Sequence, residues 1–536
     1  MRLFQNIKFT ALAAIIVIVW LGACKKSEDL QPFIPDRIFT PTAVSVAGGD
    51  TVGTVSWKAS LFSTGQKVNY TVEVYDNKLF TGTAAYTEST DSLNIKVTDG
   101  DLQVRKYYWA RVKANATANS DASLGWGVSV DSFRLTGEQL FLPVNDDLLT
   151  ESAVQLRWKP APDFTKIVLT TGTTSVDYTL TGADITAAQK TITGLTASTN
   201  YTAEIFKGTA SKGIISFTTK SPVPTGANVV TVGPTDDLAA LIAVAAPGTT
   251  FVLAQGSVHN ASAIVNLPAG ASFTIWGHYG PNKPVIAFNG LNLPATAGTI
   301  RFENVDITGY ENNNPAGTKR NYIFNQSAAN ATDAIIFENC TVRNFVNTPL
   351  RLQGSAGQTI GAVTFNKCRI YDIGNNGSNG TYALIHSNVA TGKVNNIRIT
   401  NSTAYDIGYG IILHNAAPST LVLITNSTFE NTTGNARYFI DYNAQTAGSI
   451  TLTNVIVGKT LSPAGTAAGI RSATAATSGN SFKVSNATFA SNPIPGIINY
   501  SGTSTDLFTD PANGNLLIKD VNFAGRSSAG DPKWRL

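Results

Sequence analysis

Two of the chain's four histidines stand in matching places. His386 closes the apolar run of "YALIHSN" (382–388), and His414 closes that of "YGIILHNAA" (409–417). An imidazole with its ordinary pKa near 6.5 takes or gives a proton around neutrality, and its ring nitrogens hydrogen-bond hydroxyls. Arginines occupy similar runs, Arg351 in "PLRLQG" and Arg471 in "GIRSAT", and an aspartate closes the run in "RYFIDY" (Asp441). A guanidinium forks onto a carboxylate in two parallel hydrogen bonds. A neutral imidazole beside such a fork is the equipment for removing a proton α to a carboxylate. Without a competent base, the same groups hold an acidic, hydroxyl-rich polymer in place.

The elements that must position these residues are short strands, because side chains in a strand alternate in direction. Taking the second and fourth residues of each run as inward gives an apolar stack: Tyr322/Phe324, Leu350/Leu352, Ala383/Ile385, Ile411/Leu413, Tyr438/Ile440 and Ile470/Ser472. The fifth residues then face out together, as Asn325, Gln353, His386, His414 and Asp441, and the third residues include Arg351, Phe439 and Arg471. This register predicts one outer face on which His386 and His414 are neighbours. It makes either of them the candidate base, and Arg351, Gln353, Phe439, Asp441 and Arg471 the candidate binding residues.

Between these runs lies a degenerate repeat: "IRFENVDITG", "IIFENCTVRN", "VTFNKCRIYD", "IRITNSTAYD", "LVLITNSTFEN", "ITLTNVIVGK" and "FKVSNATFAS". One aligned column reads Asn304, Asn339, Lys367, Asn401, Asn426, Asn454 and Asn486, with steps of 25 to 35 residues. The next column is small: Val305, Cys340, Cys368, Ser402, Ser427, Val455 and Ala487. It places Cys340 and Cys368 one coil apart as buried thiols, a disulfide being open to them but not required. A third column, Gly309, Asn344, Asp372, Asp406, Asn431, Gly458 and Ser491, carries types that tolerate left-handed backbone. Asp372 and Asp406 therefore read as turn residues. Calcium on this pair is the one cofactor the sequence leaves open, and no metal-ligand motif accompanies it.

Upstream, "TDDLAALIAVAAPG" predicts a short helix capped by Thr235, with apolar residues at 238, 241, 242 and 245. Residues 38–136 and 137–220 each alternate short β-runs with polar turns, and each has an early tryptophan, Trp57 or Trp158. Each also sets a leucine six residues before a tyrosine, Leu102 to Tyr108 and Leu195 to Tyr201. The N-terminus has basic Arg2 and Lys8, an apolar run, and then "LGAC" ending at Cys24. With a formal net charge of +4 and 14% charged residues, the chain lacks the basic clusters that nucleic acid requires.

Several of these motifs resemble known families. "LGAC" resembles a bacterial lipobox, which makes residues 1–23 a lipoprotein signal, Cys24 the lipidated residue and 24–37 a linker. The acidic residues in "KKSEDLQP" resemble the surface-export signals of glycan-degrading Gram-negative bacteria. "GLTASTNYTAEIF" resembles the fibronectin type III signature, which implies two tandem β-sandwiches. The helix and repeat resemble a right-handed parallel β-helix of the pectin-lyase-like kind over 221–536, with "LFTDPANGNLLIKD" similar to its last coil and the helix capping its first. The tail "GDPKWRL" resembles that of lipoproteins beside glycan-uptake systems, whose β-helix region is a domain of unknown function. The expectation is an all-β protein, lipid-anchored in the outer membrane and facing outward. Its partners would be a polysaccharide, the membrane and other glycan-uptake outer-membrane proteins. The resemblance implies binding of an acidic polysaccharide. A lyase with a His/Arg site and a structural or adhesive surface protein are the alternatives. The chain departs from the family's lyases in having neither a lysine on the candidate face nor an aspartate-rich calcium cluster.

Overall fold

A computed structural model describes residues 35–63, 66–375, 380–462 and 465–535. Three large hydrophobic cores run along the described residues, spanning 38–135, 141–217 and 232–529. The leader and Cys24 lie outside the described residues.

The first core lies between two antiparallel sheets. One joins Thr42–Ala47, Val52–Lys58 and Asn94–Thr98; the other joins Tyr86–Thr90, Tyr70–Tyr75, Trp109–Ala114 and Gly127–Val128. Trp57 is buried edge-on to Tyr70 at 5.5 Å. In the second sandwich, Thr174–Thr179, Lys166–Thr171, Asn200–Lys207 and Ala210–Thr218 face the pair Gln189–Thr193 and Ala153–Arg157, with Trp158 between them. The two Leu-to-Tyr spacings have one geometric meaning. Tyr108 accepts from the Gln103 N–H at 3.1 Å, and Tyr201 accepts from the Thr196 N–H at 3.0 Å. Each tyrosine pins the turn that its leucine buries, which is the corner of a fibronectin-like sandwich.

The remainder is a parallel β-helix. Sheet A has ten strands from Val229–Val232 to Ala476–Gly479. Sheet B has ten from Val258–Ala261 to Ile498–Asn499, and sheet C has six from Tyr322–Gln326 to Ala468–Arg471. Each full coil visits A, B and C in turn. Inside, Phe302, Phe337 and Phe365 stack nearly parallel at 5.2 and 4.7 Å, because successive parallel strands repeat at about that spacing. The helix, Leu238–Ala243, buries Leu238 and Ile242 over the first coil. Its N-cap is Asp237, whose side chain accepts from the Ala240 N–H; Thr235 lies two residues too early to cap it.

The turn between sheets A and B is an asparagine ladder. Asn304, Asn339, Asn401, Asn426, Asn454 and Asn480 all have φ between 47° and 56°. Amides hydrogen-bond along the ladder at 2.8–3.2 Å, Asn339 to Asn304, Asn426 to Asn401, Asn454 to Asn426 and Asn480 to Asn454. The final rung is Asn480 and not Asn486, and the small residue after it is Ser481 and not Ala487. "SGNSF", not "VSNAT", enters the last coil. Cys340 and Cys368 are free, buried thiols whose Sγ atoms donate to backbone carbonyls, and burial pushes the Cys368 thiol well up. At the turn after sheet B, Asn344 donates to Asp372 at 2.7 Å and Asn431 donates to Asp406. Both aspartates have left-handed backbone, as turn residues.

Candidate functional site

The outer face of sheet C is set by its register. Asn325 pairs with Arg351, Arg351 with His386, His386 with Leu413, Leu413 with Asp441, and Asp441 with Arg471. These six form one outward column. The inward neighbours are Gln326, Leu352, Ser387 and His414. His386 and His414 are therefore on opposite sides of the sheet. A shift of one residue reverses every side chain in a strand, and aligning the two runs on their histidines makes that shift. Aligning them on Tyr382 and Tyr409 gives the observed register.

His414 is fully buried and both its nitrogens are used. Nδ1 donates to the Ala417 carbonyl at 2.8 Å, so Nε2 accepts from the Val394 N–H at 3.0 Å. Burial lowers its pKa, and it is a neutral core histidine, not a base at the surface. Phe439 is likewise internal, edge-on to Phe429 at 5.1 Å. Gln353 lies just past its strand, where its backbone N–H donates to the Gln326 carbonyl at 2.9 Å and its carbonyl accepts from Gln358 at 2.6 Å.

His386, Arg351, Asp441 and Arg471 do share the outer face, joined by Tyr322 and Tyr438, which the alternation predicts to point inward, and by Tyr382, Tyr409 and Arg437, which it does not single out. Tyr322 donates to the Tyr382 hydroxyl at 3.2 Å and accepts from Arg351 at 3.1 Å. The Arg351 guanidinium lies 5.3 Å from the Tyr382 ring centre, and the His386 ring 4.7 Å from it. Farther along, Arg437 covers Tyr409 at 5.0 Å and Arg471 covers Tyr438 at 4.1 Å. Leu413 packs with Tyr409 and Ala383 between the two halves.

The halves differ in what they leave unspent. Asp441 is saturated. Arg471 forks onto both its oxygens at 2.9 Å, Tyr409 donates at 3.1 Å and the Asn443 N–H at 3.0 Å. The other half keeps three buried polar atoms without a hydrogen-bond partner among the described residues: Asn325 Oδ1, Arg351 Nε and His386 Nδ1. They stand on three successive rungs. Next to them, a cleft of about 230 Å³ opens among Asn289, Asn292, Asn321, Tyr322 and Asn325. Burial first, and then the Arg351 charge, push the His386 pKa down to about 4. The ring is therefore neutral at pH 7, able to donate or accept one hydrogen bond and too weak a base for easy carbon deprotonation.

Apart from Asn321, which leads into sheet C and lines the cleft, the inserted loop 309–321 lies away from this face. Arg320 anchors it to the Ala287 carbonyl, Asn260 and Glu311, and Asn313 accepts from Arg343 at 2.6 Å, all around sheet B. Among the described residues, no cluster of three or more His, Cys, Asp and Glu is arranged to hold a metal. Asp372 is instead taken by Lys319 and Asn344.

Among solved structures, the chain is similar to chicken CNTN1 FN1-FN3 domains, at 15% identity over 35% of this chain and 69% of that one, with a TM-score of 0.16. It is also similar to a two-domain fibronectin type III segment of chicken tenascin, at 16% identity over 34% of this chain and 99% of that one, with a TM-score of 0.19. No curated protein matches it. Two family models match the β-helix, DUF4957 over residues 259–407 and DUF5123 over 422–534, and both describe domains of unknown function.

Proposed function

We propose that this protein binds a polysaccharide along the outer face of sheet C. In this reading it is held at the outer membrane by a lipid on Cys24 and faces the cell exterior, and the two sandwiches act as the spacer. The observation that carries the reading is the set of unspent groups on successive rungs, Asn325, Arg351 and His386, framed by Tyr322 and Tyr382. Buried polar atoms are nearly always satisfied, so three together on one face suit a ligand that supplies hydroxyls and an acidic group. Aromatic rings with polar tips suit the apolar faces and hydroxyl edges of sugars, and Arg351 suits a carboxylate. Binding is favoured over cleavage because His386 is a weak base, His414 faces inward and Asp441 is committed to Arg471.

The test is electrophoresis of the full chain through native gels containing uronate-rich polymers, with absorbance of unsaturated uronate read on the same mixtures. Retardation that Arg351→Ala weakens, without absorbance, supports the reading. Absorbance that His386→Ala abolishes replaces it with a lyase. No retardation by any acidic polymer removes it and leaves an adhesive or structural surface protein.

A further inference from the structure

The asparagine ladder has one exception. At the rung between Asn339 and Asn401 stands Lys367, with φ of 53°. A lysine gains nothing from left-handed backbone, which costs a side chain without a short local acceptor on the order of 1 kcal/mol. It also breaks the amide chain. Asn401 turns to Asn366 at 2.9 Å for the acceptor that an asparagine at 367 would supply. An asparagine here would relieve both costs.

Lys367 lines a cleft of about 470 Å³ between the second sandwich and the β-helix, together with Arg369, Asp146, Asp147, Asp531 and Trp534. The carboxylates on its walls are committed. Asp146 pairs with Lys220 at 2.8 Å, and Asp147 pairs with Lys283 at 3.3 Å and Lys533 at 3.6 Å. Asp531 accepts from the Thr403 hydroxyl at 2.6 Å and the Lys533 N–H at 3.0 Å. Two cations keep donors in reserve. The Lys367 ammonium, whose charge acts on Asp146, makes no hydrogen bond or close ion pair among the described residues, and Arg369, lying over Tyr371 and Tyr405 with Nη2 on the Tyr405 hydroxyl, keeps a buried Nε without a partner. Residual donors, spent acceptors and a volume fit for one or two sugar rings specify the ligand by its charge.

We propose that this junction is a second binding site, for a small ligand bearing a carboxylate or sulfate, held by Lys367 and Arg369 at the cost of an interrupted ladder. It lies beside sheet B and is independent of the sheet C reading.

The test is calorimetric titration of the full chain, in detergent, with glucuronate and separately with inorganic sulfate. The two arms tell a sugar acid from a bare oxyanion. Each variant is also melted without ligand. Lys367→Asn should weaken binding of whichever probe binds by tenfold or more and raise the unliganded melting temperature, since it completes the ladder. Arg369→Gln should weaken binding by a similar factor. Failure of both probes to bind the wild type overturns the proposal. So does unchanged affinity in Lys367→Asn. A lower melting temperature in Lys367→Asn with affinity intact would make the lysine a strut toward Asp146, which also overturns it.

Discussion

Sheets B and C turn similar residues outward. On sheet B, Arg343, Tyr371, Tyr405 and Glu430 follow one another in register, with Tyr371 and Tyr405 stacked at 4.9 Å and Arg369 over both rings. On sheet C the sequence is Arg351, His386, Leu413, Asp441 and Arg471, with tyrosines at the flanks. What differs is the cover. The chain's last segment folds back over sheet B: Ser504 donates to Glu430, Gly514 sits against the Tyr405 ring, Asp531 receives Thr403, and Trp534 donates to Thr403 at 2.7 Å. The 309–321 loop covers the earlier rungs. Sheet C keeps Tyr322, Arg351, Tyr382, Tyr438 and Arg471 partly open. One aromatic and guanidinium face is thus used as glue within the molecule. The other presents the same chemistry outward, so residue types alone do not mark a site.

The largest difference between the faces is energetic. Phe508, in the cover, is fully buried within the main core. Phe508→Ala should cost about 3–5 kcal/mol in a denaturant melt, the usual range for a phenylalanine deleted from a packed interior. Tyr438→Ala, on the open face, loses chiefly its contact with Arg471 and should cost about 1 kcal/mol. Equal costs would mean that the two faces are equally structural.

A second contrast is in pH. Burial raises the Glu430 carboxyl to about 7, from an ordinary 4.5. The folded state therefore holds its proton more tightly than the unfolded one. Stability from this group is full below pH 4.5 and is lost as pH rises through 7, on the order of 3 kcal/mol in all. His386 has the opposite sign. Its pKa falls from 6.5 to about 4, so its contribution is full above pH 6.5 and is lost as pH falls through 4. Melting curves between pH 4 and 8 should show Glu430→Gln gaining stability mainly at the alkaline end. His386→Gln should flatten the acid end. A wild-type slope unaltered by either change would break the contrast.

Smaller, but closer to function, are two arginines at comparable places. Arg343 forks onto Asp306 at 2.9–3.1 Å beneath the loop. Arg343→Ala should cost about 1–3 kcal/mol, because it strands a partly buried carboxylate, and should leave glycan retardation untouched. Arg351→Ala should weaken retardation about tenfold, roughly 1.4 kcal/mol, with little change in melting. A reversed pattern would move the binding face to sheet B.

Much of the fold was legible in the sequence for physical reasons. The ladder asparagines, the small inward column and the paired tyrosine corners are each the residue type that one backbone geometry favours. The site was legible only in part. Asn325, Arg351, His386, Asp441 and Arg471 do stand on the outer face that the alternation predicts, because polar side chains alternate with apolar ones. His414 and Phe439 point inward instead, and Tyr322, Ala383, Leu413 and Tyr438, expected inward, lie on the outer side. A strand pattern carries no marker of register when apolar residues of similar size continue through the bend, as in "GIILH" and "RYFID", where two successive side chains point inward. The last rung was misplaced for a related reason, since "SGNSF" and "VSNAT" both offer an asparagine beside a small residue. The cover was illegible beyond its turn motif, because nothing in "LFTDPANGNLLIKD" says which outer face it meets.

The smallest expected effect tests where the cover draws its strength. Lys319 pairs with Asp372 at 2.7 Å on the rim of the 309–321 loop, with both side chains about a quarter exposed. Solvent screens such a pair, and holding two flexible side chains offsets part of its attraction, so Lys319→Ala should cost only about 0.5 kcal/mol. Arg320, one residue on, is buried and reaches Ala287, Asn260 and Glu311 at once. Removing it takes this donor from the Ala287 carbonyl and from Glu311, while Asn260 keeps the Asn312 N–H, and Arg320→Ala should cost about 2 kcal/mol or more. Hydrogen exchange of residues 309–321 would separate the two: Arg320→Ala should speed it strongly, and Lys319→Ala barely. If both speed it equally, the loop is held by its rim, and the cover over sheet B is a loose one that a ligand could displace.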